Sequence, residues 1–176
     1  VQQIDKQIKV LDSLITNILL SDQMSAPYSN LQKKKQTIDD LIKQALELTF
    51  VEKKDVHIGT NINPLVFVDG VKMAIAIKNL IENAYKYADD NEKIVLDVSE
   101  TPKTINFLVK DRGPGIPLDL LQNITKAFVR GKNQEASGFG LGLSICYKVI
   151  TAHGGDLLIK NNPKGGASFT LSIPKK

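Results

Sequence analysis

Asn79, Asn83 and Lys86 recur at i, i+4 and i+7, which places them on one side of any helix that runs through them. The other side of that segment, with Ile75, Leu80, Ile81 and Ala84, is apolar. Asparagine is a poor helix former, so two on one stripe ask for a reason beyond helix formation. A carboxamide oxygen is a hard ligand suited to Mg2+, and a nearby ammonium can meet a phosphate. A solvated polar face is the other reading this segment allows by itself. A second cluster, Asp111-Arg112-Gly113-Pro114-Gly115-Ile116-Pro117, follows an expected strand. A carboxylate there can accept from an amine while glycine backbone approaches a planar ring, although a turn with a capping Asp looks the same. A third, Gly138-Phe139-Gly140-Leu141-Gly142-Leu143-Ser144, opens an expected helix, whose first N–H groups can receive a phosphate. It lacks the Gly-Lys-Ser/Thr of a P-loop and lies near the C-terminus rather than after a first strand. Between the last two clusters, Ala127 to Ser137 is small-residued and polar beyond Phe128, as a mobile lid would be, with Arg130 and Lys132 able to meet phosphate charge.

These groups need a scaffold, and the pattern supplies one. Val1 to about Ser21 reads as an amphipathic helix with Ile4, Leu11 and Ile18 at heptad spacing, widened by Ile8, Leu14 and Ile15. Such a stripe needs another helix or another chain to cover it. Asp22 to Asn30 reads as a linker, Leu31–Lys35 as a short strand, and Thr37–Leu48 as a second helix capped by Thr37 or Asp39. Strands are expected over Val56–Ile62, Leu65–Val68, Ile94–Val98, Ile105–Lys110, Asp156–Lys160 and Ala167–Ile173. Helices are expected over Gly70–Tyr87 and from about Leu141 to Ala152. Strands with short connections and helices of this size give an α+β fold, with helices on one face of a mixed sheet.

Composition is permissive. The 176 residues are 42% hydrophobic and 24% charged, as in an ordinary soluble protein. No apolar run approaches the length of a bilayer span, and no signal-peptide pattern opens the chain. The single Cys146 sits among Leu143, Ile145, Val149 and Ile150 and reads as a buried small hydrophobe. Residues 1–50 carry six Lys and six Asp/Glu, so the net charge of +4 lies wholly in residues 51–176. That excess suits an anionic ligand but is too small, and aromatics are too sparse, for nucleic acid.

Each cluster is modest alone, but their order is specific. An Asn-rich helix, a DxGxG after a strand, Phe-x-Arg, and GxGLGL entering a helix together resemble the N, G1, F and G2 boxes of the sensor histidine kinase ATP-binding domain. The resemblance runs from about residue 31 to Pro174 and includes Gly165 to Thr170. It implies a two-layer α/β sandwich of the Bergerat type, shared with gyrase, Hsp90 and MutL ATPases (the GHKL group). Residues 1–28 would be the second helix of the dimerisation and phosphoacceptor hairpin with its linker, and 29–176 the catalytic domain. Carried over residue by residue, Asn83 would ligate Mg2+ with Asn79 in support, Lys86 would contact phosphate, and Tyr87 would pack near adenine or ribose. Asp111 would accept from the adenine amine, in a base pocket shaped by Gly113 and Gly115 with Ile116 beside them. Phe128 would anchor the lid and Arg130 would face the phosphates. Gly138, Gly140 and Gly142 would cradle the phosphates over Leu141 and Leu143. Asn79, Lys86 and Arg130 would carry the catalytic roles. Glu82 is expected to point away from the asparagine face.

The chain departs from the family pattern at two places. Phe139 replaces the small hydroxyl residue frequent in the G2 box. Neither His57, before Ile58-Gly59, nor His153, before Gly154-Gly155, has the setting of the phosphoacceptor. The resemblance therefore implies a piece of a larger kinase that binds ATP or ADP with Mg2+ and does not phosphorylate itself alone. It further implies homodimerisation through a helical bundle, a cognate response regulator, and a cytoplasmic location within an inner-membrane sensor. Two other readings stand beside it. A GHKL-type ATPase would carry a Glu where Asn79 stands. A degenerate interaction module would not need Asn83, Asp111 and the G2 glycines together.

Overall fold

A computed structural model describes residues 2–24, 30–88, 93–129 and 140–175. The element order is α1 (Gln2–Gln23), β1 (Lys34–Thr37), α2 (Ile38–Leu48), a 3-10 turn at Lys53–Asp55, β2 (Val56–Ile58), β3 (Leu65–Val68), α3 (Gly70–Tyr87), β4 (Ile94–Glu100), β5 (Thr104–Lys110), α4 (Leu118–Leu121), α5 (Gly142–Ala152), β6 (Asp156–Asn161) and β7 (Ala167–Pro174). Five strands form one sheet in the order β2-β4-β5-β7-β6, with β2 parallel to β4 and the other pairs antiparallel. A separate antiparallel ribbon joins β1 and β3.

Alternation decides which face of the sheet is covered. Ile94, Leu96 and Val98 on β4, Ile105, Phe107 and Val109 on β5, and Phe169, Leu171 and Ile173 on β7 are all buried. Helix α3 packs on β4 and β5, α5 on β6 and β7, and α2 on α3, so helices and sheet make the two expected layers. Local signals fix the helix starts. The Asp69 carboxylate caps α3 by accepting from the Lys72 N–H, and Thr37 caps α2 by accepting from Asp40 N–H at 3.1 Å. The apolar residues Ile38, Leu41, Ile42 and Ala45 then form the i, i+3, i+4, i+7 stripe by which α2 enters the core.

Helix α1 turns out to have two working faces. Asn17, Leu20 and Met24 are buried against the domain, whereas Ile4, Ile8, Leu11, Ile15 and Ile18 are exposed. Leu14, expected on the outer stripe, instead lines an internal cavity. The helix also runs two residues past Ser21, and residues 25–29 of the expected linker lie outside those described.

Neither histidine lines that cavity. His57 is exposed on β2, while His153 is buried at the end of α5 with both ring nitrogens engaged. Its Nε2 accepts from the Asp69 N–H at 3.0 Å, which makes Nδ1, 2.8 Å from the Val149 carbonyl, the protonated nitrogen. Cys146 is buried, its thiol donates to the Ala76 carbonyl, and burial pushes its ionisation far above the ordinary thiol range.

Candidate functional site: a cavity between the Asn helix and the glycine turn

A cavity of about 230 Å³ lies where the polar face of α3 meets the turn at Gly140. Asn79, Glu82, Asn83, Lys86 and Tyr87 form the α3 wall. Gly140, Leu141, Gly142 and Leu143 form the opposite wall, and Asp111, Ala167 and Phe169 close the end formed by β5 and β7. The loop after β5 and the α4 region supply Gly115, Ile116, Pro117, Leu120 and Ile124, and α1 supplies Val10, Ser13, Leu14 and Asn17.

Asp111 follows directly from the sheet. The β5–β7 ladder ends at Lys110 opposite Ser168, and the next residue pair is held differently. The Asp111 N–H donates to the Ala167 carbonyl, and the Ala167 N–H returns a bond to Asp111 Oδ1, both at 3.0 Å. Gly113 N–H adds a second bond to Oδ1, also at 3.0 Å. Two backbone donors thus fix one oxygen of a carboxylate only 4% exposed, and no hydrogen bond reaches Oδ2 among the described residues. A buried carboxylate oriented in this way presents an acceptor to a ligand amine.

The loop around it depends on close backbone approach. A Cβ at Gly113 would stand 1.8 Å from the Tyr87 carbonyl oxygen, so only glycine lets the end of α3 meet this loop. Asn161, at the end of β6, brackets the loop by accepting from Ile116 N–H at 2.7 Å and donating to the Ile116 carbonyl at 2.8 Å. At the other wall Gly140 adopts φ +70°, a Cβ there would stand within about 3 Å of the backbone at Phe128 and Val129, and its carbonyl accepts from the Phe128 N–H.

Asn79 is 3% exposed, and neither its Oδ1 nor its Nδ2 has a hydrogen-bond partner among the described residues. Leaving a buried amide unpaired costs on the order of 1–3 kcal/mol, so its position on the cavity wall points to a polar ligand. Asn83 is half-buried beside it. Among the described residues no group of three or more His, Cys, Asp or Glu could hold a metal. A cation here would therefore rest on amide oxygens, water and ligand oxygens, a donor set that Mg2+ accepts.

The expected residues meet in one place with a few exceptions. Asn79, Asn83, Lys86, Tyr87, Asp111, Gly115, Ile116, Gly140, Leu141, Gly142 and Leu143 all line the cavity, and Gly113 shapes it through Asp111. Phe128 does not line it; the side chain is 73% exposed on a backbone of φ +66°. Arg130 and Gly138 lie outside the described residues, as does the rest of the expected lid from 130 to 139.

Glu82 requires a correction. Expected to point away, it lines the cavity at 4% exposure, because a residue at i+3 from Asn79 lies on the adjoining flank of the helix. It belongs to a buried network. Lys78, 2% exposed, lies 3.8 Å from Glu82 and donates to Ser13 Oγ at 2.7 Å, while Ser13 donates to Glu82 Oε2 at 3.1 Å. Thr49 donates to Oε1 at 3.4 Å. Burial pushes the Lys78 ammonium below its ordinary range and the Glu82 carboxyl above its own, and their mutual attraction opposes both shifts. The i, i+4 spacing of Lys78 and Glu82 was the sequence signal for this pair; nothing in the sequence pointed to Ser13.

Residues 68–176 match the family described as histidine kinase-, DNA gyrase B-, and HSP90-like ATPase. The adaptive-response sensory kinase SasA of Synechocystis sp. is 32% identical over 179 aligned residues, covering 98% of this chain and 47% of that protein. The sensor protein KdpD of Escherichia coli is 32% identical over 171, covering 93% of this chain and 19% of KdpD. Full-length ShkA, solved in complex with AMPPNP, superposes with a TM-score of 0.76 at 25% identity, over 94% of this chain and 36% of ShkA. The chain thus spans about half the length, or less, of the curated relatives it matches.

Proposed function

The chain belongs to the histidine kinase-, DNA gyrase B- and HSP90-like ATPase family, as an ATP-binding domain of the sensor histidine kinase type, and we propose that it holds Mg-ATP in the cavity between α3 and the Gly140 turn for γ-phosphoryl transfer to a histidine. The observation that carries this reading is the pairing of Asp111, fixed by Gly113 and Ala167 N–H groups, with the unpartnered amide of Asn79 in one cavity.

Asp111 receives the exocyclic amine of adenine on Oδ2. Guanine presents an acceptor at that place and leaves the carboxylate unpaired, which costs roughly 1–3 kcal/mol or more. Asn83 and Asn79 hold the cation at the phosphate end, where Mg2+ would neutralise phosphate charge. Lys86 adds positive charge on the same wall, and the N–H groups that open α5 after Gly142 receive phosphate oxygens. The task of the domain is to position and neutralise; it supplies no nucleophile.

His153 has both nitrogens engaged and His57 lies on a strand away from the cavity, so the acceptor comes from a helix that pairs with α1. The exposed stripe of α1 supports a homodimer through a helical bundle. None of the described helices is long and apolar enough to cross a membrane. The use of ATP supports a cytoplasmic position for the domain, with a response regulator as the proposed recipient of the phosphoryl group.

Calorimetric titration with Mg-ATP and Mg-GTP tests the cavity, followed by transfer of labelled phosphate to the intact helical hairpin supplied separately. Binding that prefers ATP, with label on the hairpin histidine, is expected. Label on His57 or His153, formed at a useful rate, contradicts the proposed division of labour. Failure of the folded chain to bind nucleotide contradicts the reading as a whole.

A further inference from the structure

Helix α1 brings to the cavity a polar group that the scheme above leaves unused. Ser13, Asn17 and Ser21 follow at i, i+4 and i+8, so they share one side of the helix. Ser13 is engaged by Lys78 and Glu82 on α3, and Lys148 on α5 donates to both the carbonyl and the hydroxyl of Ser21 at 3.1 Å. Asn17, between these two anchors, lines the cavity at 9% exposure, and its Oδ1 has no hydrogen-bond partner among the described residues. The other unpartnered amide of the cavity wall is Asn79. A Cβ on Gly142 would stand 3.7 Å from the Asn79 Cβ, so Asn79 marks where α3 meets the glycine turn.

Two buried amide oxygens without partners in one cavity have the same deficit. Each needs a donor or a cation, and neither side chain can turn to water without leaving the packed interface. The phosphates of a nucleotide offer neither, being acceptors. The hydration shell of their Mg2+ does, because Mg2+ retains several waters whose hydrogens point outward.

We propose that Asn17 is a ligand-positioning residue of the nucleotide site, its Oδ1 accepting from water bound to the Mg2+ that Asn79 and Asn83 face. The inference rests on the nucleotide reading of the cavity. It makes α1 part of the binding site as well as a link to a partner chain. By reciprocity, Mg-nucleotide strengthens the docking of α1 by the factor that docked α1 strengthens Mg-nucleotide binding.

The test is calorimetric titration of the whole chain with ATP, in Mg2+ and in EDTA, for the native protein, Asn17→Leu and Asn17→Ala. Leucine fills the space without the amide, and alanine serves if leucine does not fit; a native-like melting transition qualifies either variant. The expected result is a loss of roughly tenfold in affinity in Mg2+ and no difference from native in EDTA. Equal affinities in Mg2+, a loss of the same size in EDTA, or tighter binding by the variants, as if α1 were a plug, each overturns the proposal while leaving the nucleotide site standing. A native chain that binds no ATP in Mg2+ removes the nucleotide reading and this inference with it.

Discussion

Asp111 allows binding and folding to be separated by two substitutions at one position. Asn keeps an oxygen where Oδ1 now accepts from Gly113 and Ala167, so the loop after β5 retains its two bonds. It places an NH2 group where Oδ2 stands, which turns the proposed contact with the adenine amine into donor against donor. The charged acceptor lost there is worth about 1.5–3 kcal/mol, or roughly ten- to hundredfold in affinity. Ala removes both oxygens and leaves two backbone N–H groups unpaired in a position only 4% exposed, at about 1–3 kcal/mol each. Against a whole-domain stability of about 5–15 kcal/mol, that loss lowers the melting temperature by many degrees.

The assays are calorimetry with Mg-ATP and Mg-GTP, and thermal melting of the ligand-free proteins. Asp111→Asn is expected to melt close to native while losing ATP affinity and the preference over GTP. Asp111→Ala is expected to lose both affinity and stability. An Asn variant that binds ATP as tightly as native would refute the assignment of Oδ2 to the base. An Ala variant that melts like native would refute the account of the two anchoring bonds.

Three further outcomes follow from the same geometry. Glu82→Ala strands the Lys78 ammonium in the core and is expected to cost about 3–5 kcal/mol in denaturant unfolding, whereas the double replacement Lys78→Met with Glu82→Leu recovers most of it; a single variant of native stability would show that Lys78 is not charged as described. Gly113→Ala forces a methyl against the Tyr87 carbonyl, and the resulting shift of the loop is expected to lower both the melting temperature and nucleotide affinity. His153 has its pKa depressed, first by burial, and its Nε2 must accept from Asp69 N–H, so the unfolded chain takes up this proton more readily. Its contribution to stability is therefore complete above about pH 6.5 and lost as pH falls through the depressed folded value. Melting at pH 7 and pH 5.5 should show a drop that His153→Gln makes shallower.

How much of this could be read from the sequence depended on whether an element's pattern was set locally. Helix α3 appears at Gly70–Tyr87 as expected, because its start is fixed by the adjacent Asp69 cap and its apolar face is continuous. Strand β2 is shorter than the expected Val56–Ile62. As an edge strand it pairs with β4 only from Val56 to Ile58, after which the chain is held to β4 by the Gly59 N–H and the Thr60 hydroxyl. Strand β1 is displaced from Leu31–Lys35 to Lys34–Thr37, since Lys-Lys-Gln-Thr has no alternation of its own and takes its register from β3. The residues of the site were legible as types and spacings, and the carboxylate after β5 was legible as an acceptor. The bracket from Asn161, 45 residues from Ile116, and the docking of α1 were not, because both depend on contacts that no local period encodes.

The two faces of α1 have different chemistry, and this bears on how the proposed transfer works. Ile4, Ile8, Leu11, Ile15 and Ile18 follow at alternating spacings of four and three and are each about half exposed or more, the spacing of a coiled-coil seam. A helix packed on that side would make apolar, extended contact whose strength grows with every heptad. Contact on the domain side has polar anchors at Ser13 and Ser21, with Leu20 and Met24 as its buried apolar part. Polar contacts exchange for water at little net cost, about 0.5–1.5 kcal/mol for each bond, so of the two faces this one would open at the lower cost. Under the proposed transfer, a nucleotide held between α3 and the Gly140 turn would reach a histidine on a paired helix by the domain leaving α1 while the helices stay together. The buried Lys78–Glu82 pair would resist that step alongside the Lys148–Ser21 bonds, because it would lose the Ser13 hydroxyl and gain water in its place.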